Sequence, residues 1–73
     1  ERRHRWLYQA LGFLNRREER IIRARRLAEE SLTLEELGSE LGISKERVRQ
    51  IESRAMEKLR AALATIAPDM AMA

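Results

Sequence analysis

The 73-residue sequence predicts an all-α fold, a small domain of four helices. Three observations carry that expectation. Apolar residues recur at three- and four-residue spacing, with no sustained alternation of β-branched residues. The single proline, Pro68, lies close to the end, so no earlier segment contains that helix breaker. Asn15, Thr33 and Ser44, all suited to N-capping, divide the chain into helix-length segments.

The first helix is expected over about Arg5–Leu14, where Trp6, Leu7, Ala10, Leu11 and Leu14 form one apolar stripe. Asn15 then caps a second helix, Arg16–Glu29. Glu18 stands three residues past the cap in a capping-box arrangement, and Ile21, Ile22 and Leu27 are the apolar anchors. Thr33 and Glu36 repeat the box before a short third helix, Leu34–Leu41. Gly42 follows, where a left-handed C′ residue costs least as glycine. Ser44 caps the fourth helix, with Glu46 in its first turn, favourable for the helix dipole. Val48, Ile51, Ala55, Leu59, Ala62 and Ile66 keep helical spacing, and the helix is expected to reach about Ala64. Residues 1–4 read as linker and 67–73 as a disordered tail, so that 1–73 is a single domain.

Composition narrows the function. A chain this short buries roughly 60% of its unfolded surface, so its core is thin. Apolar residues at 44% and charged ones at 37% suit a folded helical domain better than a disordered tail. Cysteine is absent and His4 is the single histidine, which excludes disulfides, cysteine-based redox chemistry and a multi-His metal site. No cofactor, metal or membrane span is expected, and no Ser/His/Asp set or Gly-rich phosphate loop suggests an enzyme. The chain begins at Glu1 rather than Met, so it is expected to be a piece of a longer protein.

Fifteen Lys+Arg oppose twelve Asp+Glu, for a formal charge of +3. The distribution says more than the sum: residues 1–28 carry +6, 29–46 carry −5 and 47–73 carry +2. Thirteen of the fifteen cations are Arg, the residue that forks onto phosphate or guanine. The acidic stretch Glu29, Glu30, Glu35, Glu36 and Glu40 reads as a solvated face, or alternatively as a surface turned from nucleic acid or toward an activator.

The informative segment is LEELGSELGISKERVRQI, residues 34–51. Two helices crossing steeply around a tight turn need a small residue at the crossing, a residue tolerant of positive φ, and apolar side chains inside the angle. Gly38, Gly42, and the set Leu37, Leu41, Ile43, Val48 and Ile51 meet those needs, which is a helix-turn-helix pattern. With Val48 and Ile51 inside, the outward face carries Lys45, Glu46, Arg49, Gln50, Ser53 and Arg54. Arg and Lys match guanine O6 and N7, Glu accepts from cytosine N4, and Gln bridges adenine N6 and N7. A purely structural hairpin does not need so specific a face.

These residues resemble a known family. TLEELGSELGISKERVRQIESRAMEKLR is similar to region 4, the C-terminal DNA-binding region, of bacterial RNA polymerase sigma factors of the housekeeping type and its relatives. The preceding LNRREERIIRARRL resembles the first half of that region, and the match spans about Leu11 to Leu63. Where housekeeping members usually have Arg-Phe-Gly, this chain has Arg25-Arg26-Leu27 and then AEES. With Arg54-Ala-Met-Glu-Lys58, that resembles the heat-shock type.

The resemblance implies double-stranded promoter DNA as partner, with the fourth helix in the major groove of the −35 element. It implies a base-reading set of Lys45, Glu46, Arg49 and Gln50, and a backbone set of Arg17, Arg25, Thr33, Arg47 and Arg54. It also implies docking to the β flap of the polymerase core through apolar residues, here Trp6, Leu11, Phe13 and Leu14, unless these simply form the core. An anti-sigma factor or activator is a further partner, and the bacterial cytoplasm, at the nucleoid, is the implied location. Two rival readings stay open at this point: the output domain of a response-regulator-type transcription factor, and a helical protein-interaction module.

Overall fold

The computed structural model describes residues 2–67, with side chains described from Arg5 onward. Its elements are α1 (Arg2–Leu11), α2 (Arg16–Ile22) running on into a wider π-helical turn over Arg23–Leu27, α3 (Leu34–Leu41) and α4 (Lys45–Ile66). Among the described residues there is no strand. Arg2 to His4, expected as linker, are the opening of α1. At the other end Ala67 is buried and donates its N–H to the Leu63 carbonyl at 2.7 Å. The rest of the expected tail, with Met70 and Met72, lies outside the described residues.

α1 stops at Leu11 rather than Leu14. Gly12, Phe13 and Leu14 donate back by three residues, to the carbonyls of Gln9, Ala10 and Leu11, at 3.2, 3.0 and 3.0 Å. This tighter winding satisfies carbonyls that a helix end otherwise leaves orphaned. It also delivers the chain to Asn15 in the extended conformation (φ −77°, ψ 172°) that a cap requires.

Both capping boxes form. Glu18 N–H donates to Asn15 Oδ1 at 2.8 Å while Asn15 N–H donates to Glu18 Oε1 at 2.9 Å. Thr33 and Glu36 make the same exchange at the start of α3. Glu18 does more than cap: its second oxygen accepts from Lys58 Nζ on α4 at 2.8 Å, and the carboxylate is buried. Burial alone raises its pKa; the hydrogen bond from Lys58, the Asn15 N–H and the lysine charge outweigh that and hold it below the usual carboxylate range. A lowered folded-state value means the stabilisation is full above that range and disappears as pH falls through it. The stability gap between wild type and Lys58→Met, in urea unfolding, is therefore expected to be largest near neutrality and to narrow below about pH 4. Lys58 is half exposed, which limits the gap to about 1 kcal/mol.

α2 departs from expectation at its far end. The α-helix ends at Ile22 and the π-helical turn that continues it at Leu27, not Glu29, because Ala28 is extended (φ −81°, ψ 150°). Leu27 is no anchor, being 39% exposed, and Ala24 is buried instead. The cause is a tertiary tie. Successive side chains of an α-helix diverge by about 100°, but the wider turn lets both Arg25 and Arg26 reach one carboxylate on α4. Arg25 Nε donates to Glu52 Oε1 at 3.2 Å and Arg26 Nε to Oε2 at 2.9 Å. Arg25 Nη1 also donates to the Leu32 carbonyl, and Leu32 N–H to the Ala24 carbonyl, each at 3.1 Å.

The core has two lobes joined by α4. One gathers Ala10, Leu11, Leu14, Ile22, Ala55, Leu59 and Ala62, joining α1 to the distal half of α4. The other gathers Ile21, Ala24, Leu37, Val48 and Ile51, joining α3 to the proximal half. The neighbours Ile21 and Ile22, both fully buried, serve different lobes, so α2 is the wedge between them. Arg20 forks onto Glu40, both bonds 2.6 Å, tying α2 to α3 at the surface.

Candidate nucleic-acid interface

α3 and α4 form the helix-turn-helix that the glycine pattern predicts. Gly42 takes φ 71°, ψ 32°, the left-handed conformation that ends α3. Gly38 is needed for closeness rather than conformation: a Cβ there would sit 2.6 Å from the Ile43 carbonyl oxygen. Its own carbonyl accepts the N–H groups of both Gly42 and Ile43. Ser44, extended at φ −71° and ψ 156°, accepts the Arg47 N–H at 3.1 Å and starts α4.

Burial along α4 then fixes what faces outward. Val48, Ile51, Glu52, Ala55, Leu59 and Ala62 are buried. At about 100° per residue, Glu46, Gln50 and Ser53 fall on the opposite crest, and all three are exposed. Lys45 and Arg49 lie on one shoulder of that crest, Arg47, Arg54 and Lys58 on the other, all exposed. The four residues of the base-reading set thus occupy one exposed surface at the N-terminal end of a helix about 33 Å long.

The backbone set divides between two shoulders. Arg17, Arg47 and Arg54 line one groove with Lys58, where α2 begins against α4. Arg25 and Thr33 line a depression on the other side, beside Lys45, Glu46 and Arg49. Thr33 already accepts the Glu36 N–H through its hydroxyl, and Arg25 is engaged by Glu52 and the Leu32 carbonyl. Lys58 shares the first groove, and Arg26 and Glu52 brace Arg25 beside the second; sequence reasoning gives none of the three a role. A usable signal exists for Glu52, a lone acid at a core-facing position between Ile51 and Ala55.

The exposed crest of α4 and its shoulders are internally paired. Arg49 forks onto Glu46, with Nε–Oε1 2.9 Å and Nη2–Oε2 2.6 Å. That hydrogen-bonded fork, with the guanidinium charge behind it, holds the Glu46 carboxyl below the usual carboxylate range. Lys45 Nζ lies 3.9 Å from Glu35, and Arg47 Nη1 lies 3.5 Å from Gln50 Oε1. These last two contacts, long, single and exposed, are readily exchanged for other partners.

The apolar residues that the resemblance offers for polymerase docking separate by burial. Leu11 and Leu14 are inside the α1–α4 lobe, Trp6 is half-buried, and Phe13 is 62% exposed. Phe13 lines a shallow apolar depression with Ala61, Ala62 and Thr65. Among the described residues, no helix is long and apolar enough to cross a membrane, and no group of three or more acidic, histidine or cysteine side chains is placed to hold a metal.

Comparison with known proteins bears on this surface. Residues 10–61 match the family model described as sigma-70, region 4. The chain is 62% identical over 63 residues to the RNA polymerase sigma factor RpoH of Rhizobium radiobacter, covering 86% of this chain and 21% of that protein. It is 49% identical over 67 residues to RpoH of Zymomonas mobilis, covering 92% and 22%. It is 57% identical over 53 residues to the sigma factor RpoD of Helicobacter pylori, covering 68% and 8%. The chain thus spans about a fifth of the length of its RpoH relatives.

Proposed function

Because the chain belongs to the sigma-70 region 4 family, we propose that it is the promoter-reading module of a heat-shock-type sigma factor, with α4 lying in the major groove of the −35 element. The observation that carries this is the division of α4 into a buried apolar seam and an opposite crest of Glu46, Gln50 and Ser53 between cationic shoulders. A major groove about 12 Å wide admits one helix, and its walls are phosphate. Shoulders bearing Lys45 and Arg49 on one side, and Arg47, Arg54 and Lys58 on the other, suit those walls. Phosphate contacts set position and crest contacts set sequence.

One module with so few base contacts binds weakly alone, in the micromolar range or above, with steep salt dependence. Useful affinity comes from tethering to the polymerase core, which raises the effective concentration at the promoter. Exposed Phe13, together with half-buried Trp6, is the apolar surface offered to the β flap; Leu11 and Leu14 lie in the core of the α1–α4 lobe. An anti-sigma factor or activator would compete for, or add to, these same surfaces.

The test is duplex binding by fluorescence anisotropy, with a −35-like sequence against a scrambled one across a salt series. Wild type is expected to prefer the former at every salt concentration; equal binding throughout refutes the reading. Glu46→Ala is expected to reduce the preference by about 1–3 kcal/mol at one base pair. Arg54→Ala is expected to weaken all duplexes alike and lower the salt slope by about 1. Arg54 suits that measurement better than Arg25, whose removal also cuts the tie to Glu52.

A further inference from the structure

Arg49 has a task that base reading does not describe. Its guanidinium is committed to both oxygens of Glu46, at 2.9 and 2.6 Å, although both side chains are more than half exposed. The two residues are three apart, so Arg49 stands on the shoulder about 60° round the helix from the crest that bears Glu46. An ionised carboxylate offers about four acceptor positions, and a guanidinium fork uses two. Two remain for an amino group presented by a base.

The electrostatics favour the same arrangement. Glu46 is the crest acid in the first turn of α4, the part of a recognition helix that meets base edges. A bare carboxylate carried between two phosphate walls meets repulsion from both, and a guanidinium bonded to it cancels that charge. The fork also removes rotamer freedom from Glu46 before binding, so less ordering is left for the complex.

Resting on the promoter-reading function above, we propose that Arg49 is a positioning residue for Glu46: its fork orients and charge-compensates the carboxylate, so that preference for a cytosine facing Glu46 depends on a side chain that does not itself read that base. The relevant quantity is a ratio of affinities, not an affinity. Deleting a phosphate-binding cation from the shoulder weakens every duplex equally, whereas breaking the orienting fork weakens only discrimination at Glu46.

The experiment uses the 73-residue chain and two duplexes that differ at one base pair, C·G or T·A, chosen as the pair whose discrimination Glu46→Gln removes. Anisotropy titrations at fixed salt, and a salt series, are run on wild type, Arg49→Met, Arg49→Lys, Glu46→Gln and the Glu46→Gln/Arg49→Met double variant, with helicity checked by circular dichroism. Arg49→Met is expected to lower the C·G over T·A ratio at least about fivefold. Arg49→Lys, which keeps the charge but not the fork, is expected to fall between Arg49→Met and wild type. The double variant is expected to show no lower ratio than Glu46→Gln alone. A wild-type ratio retained in Arg49→Met, with a salt slope reduced by about 1, makes Arg49 a phosphate-binding residue and overturns the positioning role alone. Should Arg49→Met not fold, a wild-type ratio in Arg49→Lys overturns it equally. If wild type discriminates between no duplexes at all, promoter reading fails and the positioning role with it.

Discussion

Gly38→Ala is expected to lower stability by about 2–3 kcal/mol, a fall in Tm of roughly 10–20 °C for a chain of this size. In an ordinary helix interior the same change gains up to about 1 kcal/mol, since alanine is the better helix former. The sign reverses here because the new methyl group would stand 2.6 Å from the Ile43 carbonyl oxygen. That oxygen belongs to the backbone of the turn and cannot rotate away as a side chain would. Relief requires α3 and α4 to move apart, and the lobe of Leu37, Val48 and Ile51 lies at that crossing. Thermal unfolding by circular dichroism checks the magnitude. A Tm within a few degrees of wild type would mean that the crossing is looser than the geometry implies. Gly42→Ala makes a useful contrast: nothing lies within 4 Å of its added carbon, and the cost there is conformational, about 1 kcal/mol from φ 71°.

Glu52→Ala is expected to cost about 2–4 kcal/mol. The carboxylate is 7% exposed and accepts from Arg25 and Arg26 at once. Its removal leaves Arg25, only 29% exposed, with the Leu32 carbonyl as its remaining partner, while Arg26, at 54%, returns to water. The destabilisation therefore falls mainly on the π-helical turn, Arg23–Leu27, and on the link from α2 to α4. Glu52→Gln is expected to lose less, because the amide oxygen can still accept from one arginine. Urea unfolding measures both. In duplex binding, Glu52→Ala under folded conditions is expected to weaken all sequences together, since it disturbs the shoulder that holds Arg25 and leaves the crest intact. Identical stability in wild type and Glu52→Ala would show that the double ion pair contributes nothing.

Each feature legible in advance has its cause close along the chain. Asn15 with Glu18 and Thr33 with Glu36 are reciprocal bonds across three residues, so the starts of α2 and α3 are visible to the eye. Gly42 ends α3 by its own backbone conformation. The outward face of α4 follows from the spacing of Val48, Ile51 and Ala55, which is why Lys45, Glu46, Arg49 and Gln50 emerge together on it. The family resemblance then attached roles to that face, including roles that local pattern could not supply.

What remained hidden involves partners far apart in the chain. Arg25 and Arg26 meet Glu52 across 27 and 26 residues, and Lys58 meets Glu18 across 40. Those ties decide where α2 ends, why Leu27 is exposed while Ala24 is buried, and why two carboxylates sit inside a thin core. They also gather Arg17, Arg47, Arg54 and Lys58 around one groove. Capping and periodicity act within a turn of helix, so the amino-acid order alone determines the helices, the starts of α2, α3 and α4, and the polar character of the outward face of α4. The closing of α2, and the grouping of cations along the two shoulders of α4, arise only when the helices pack, because a charge finds its partner through space rather than along the chain.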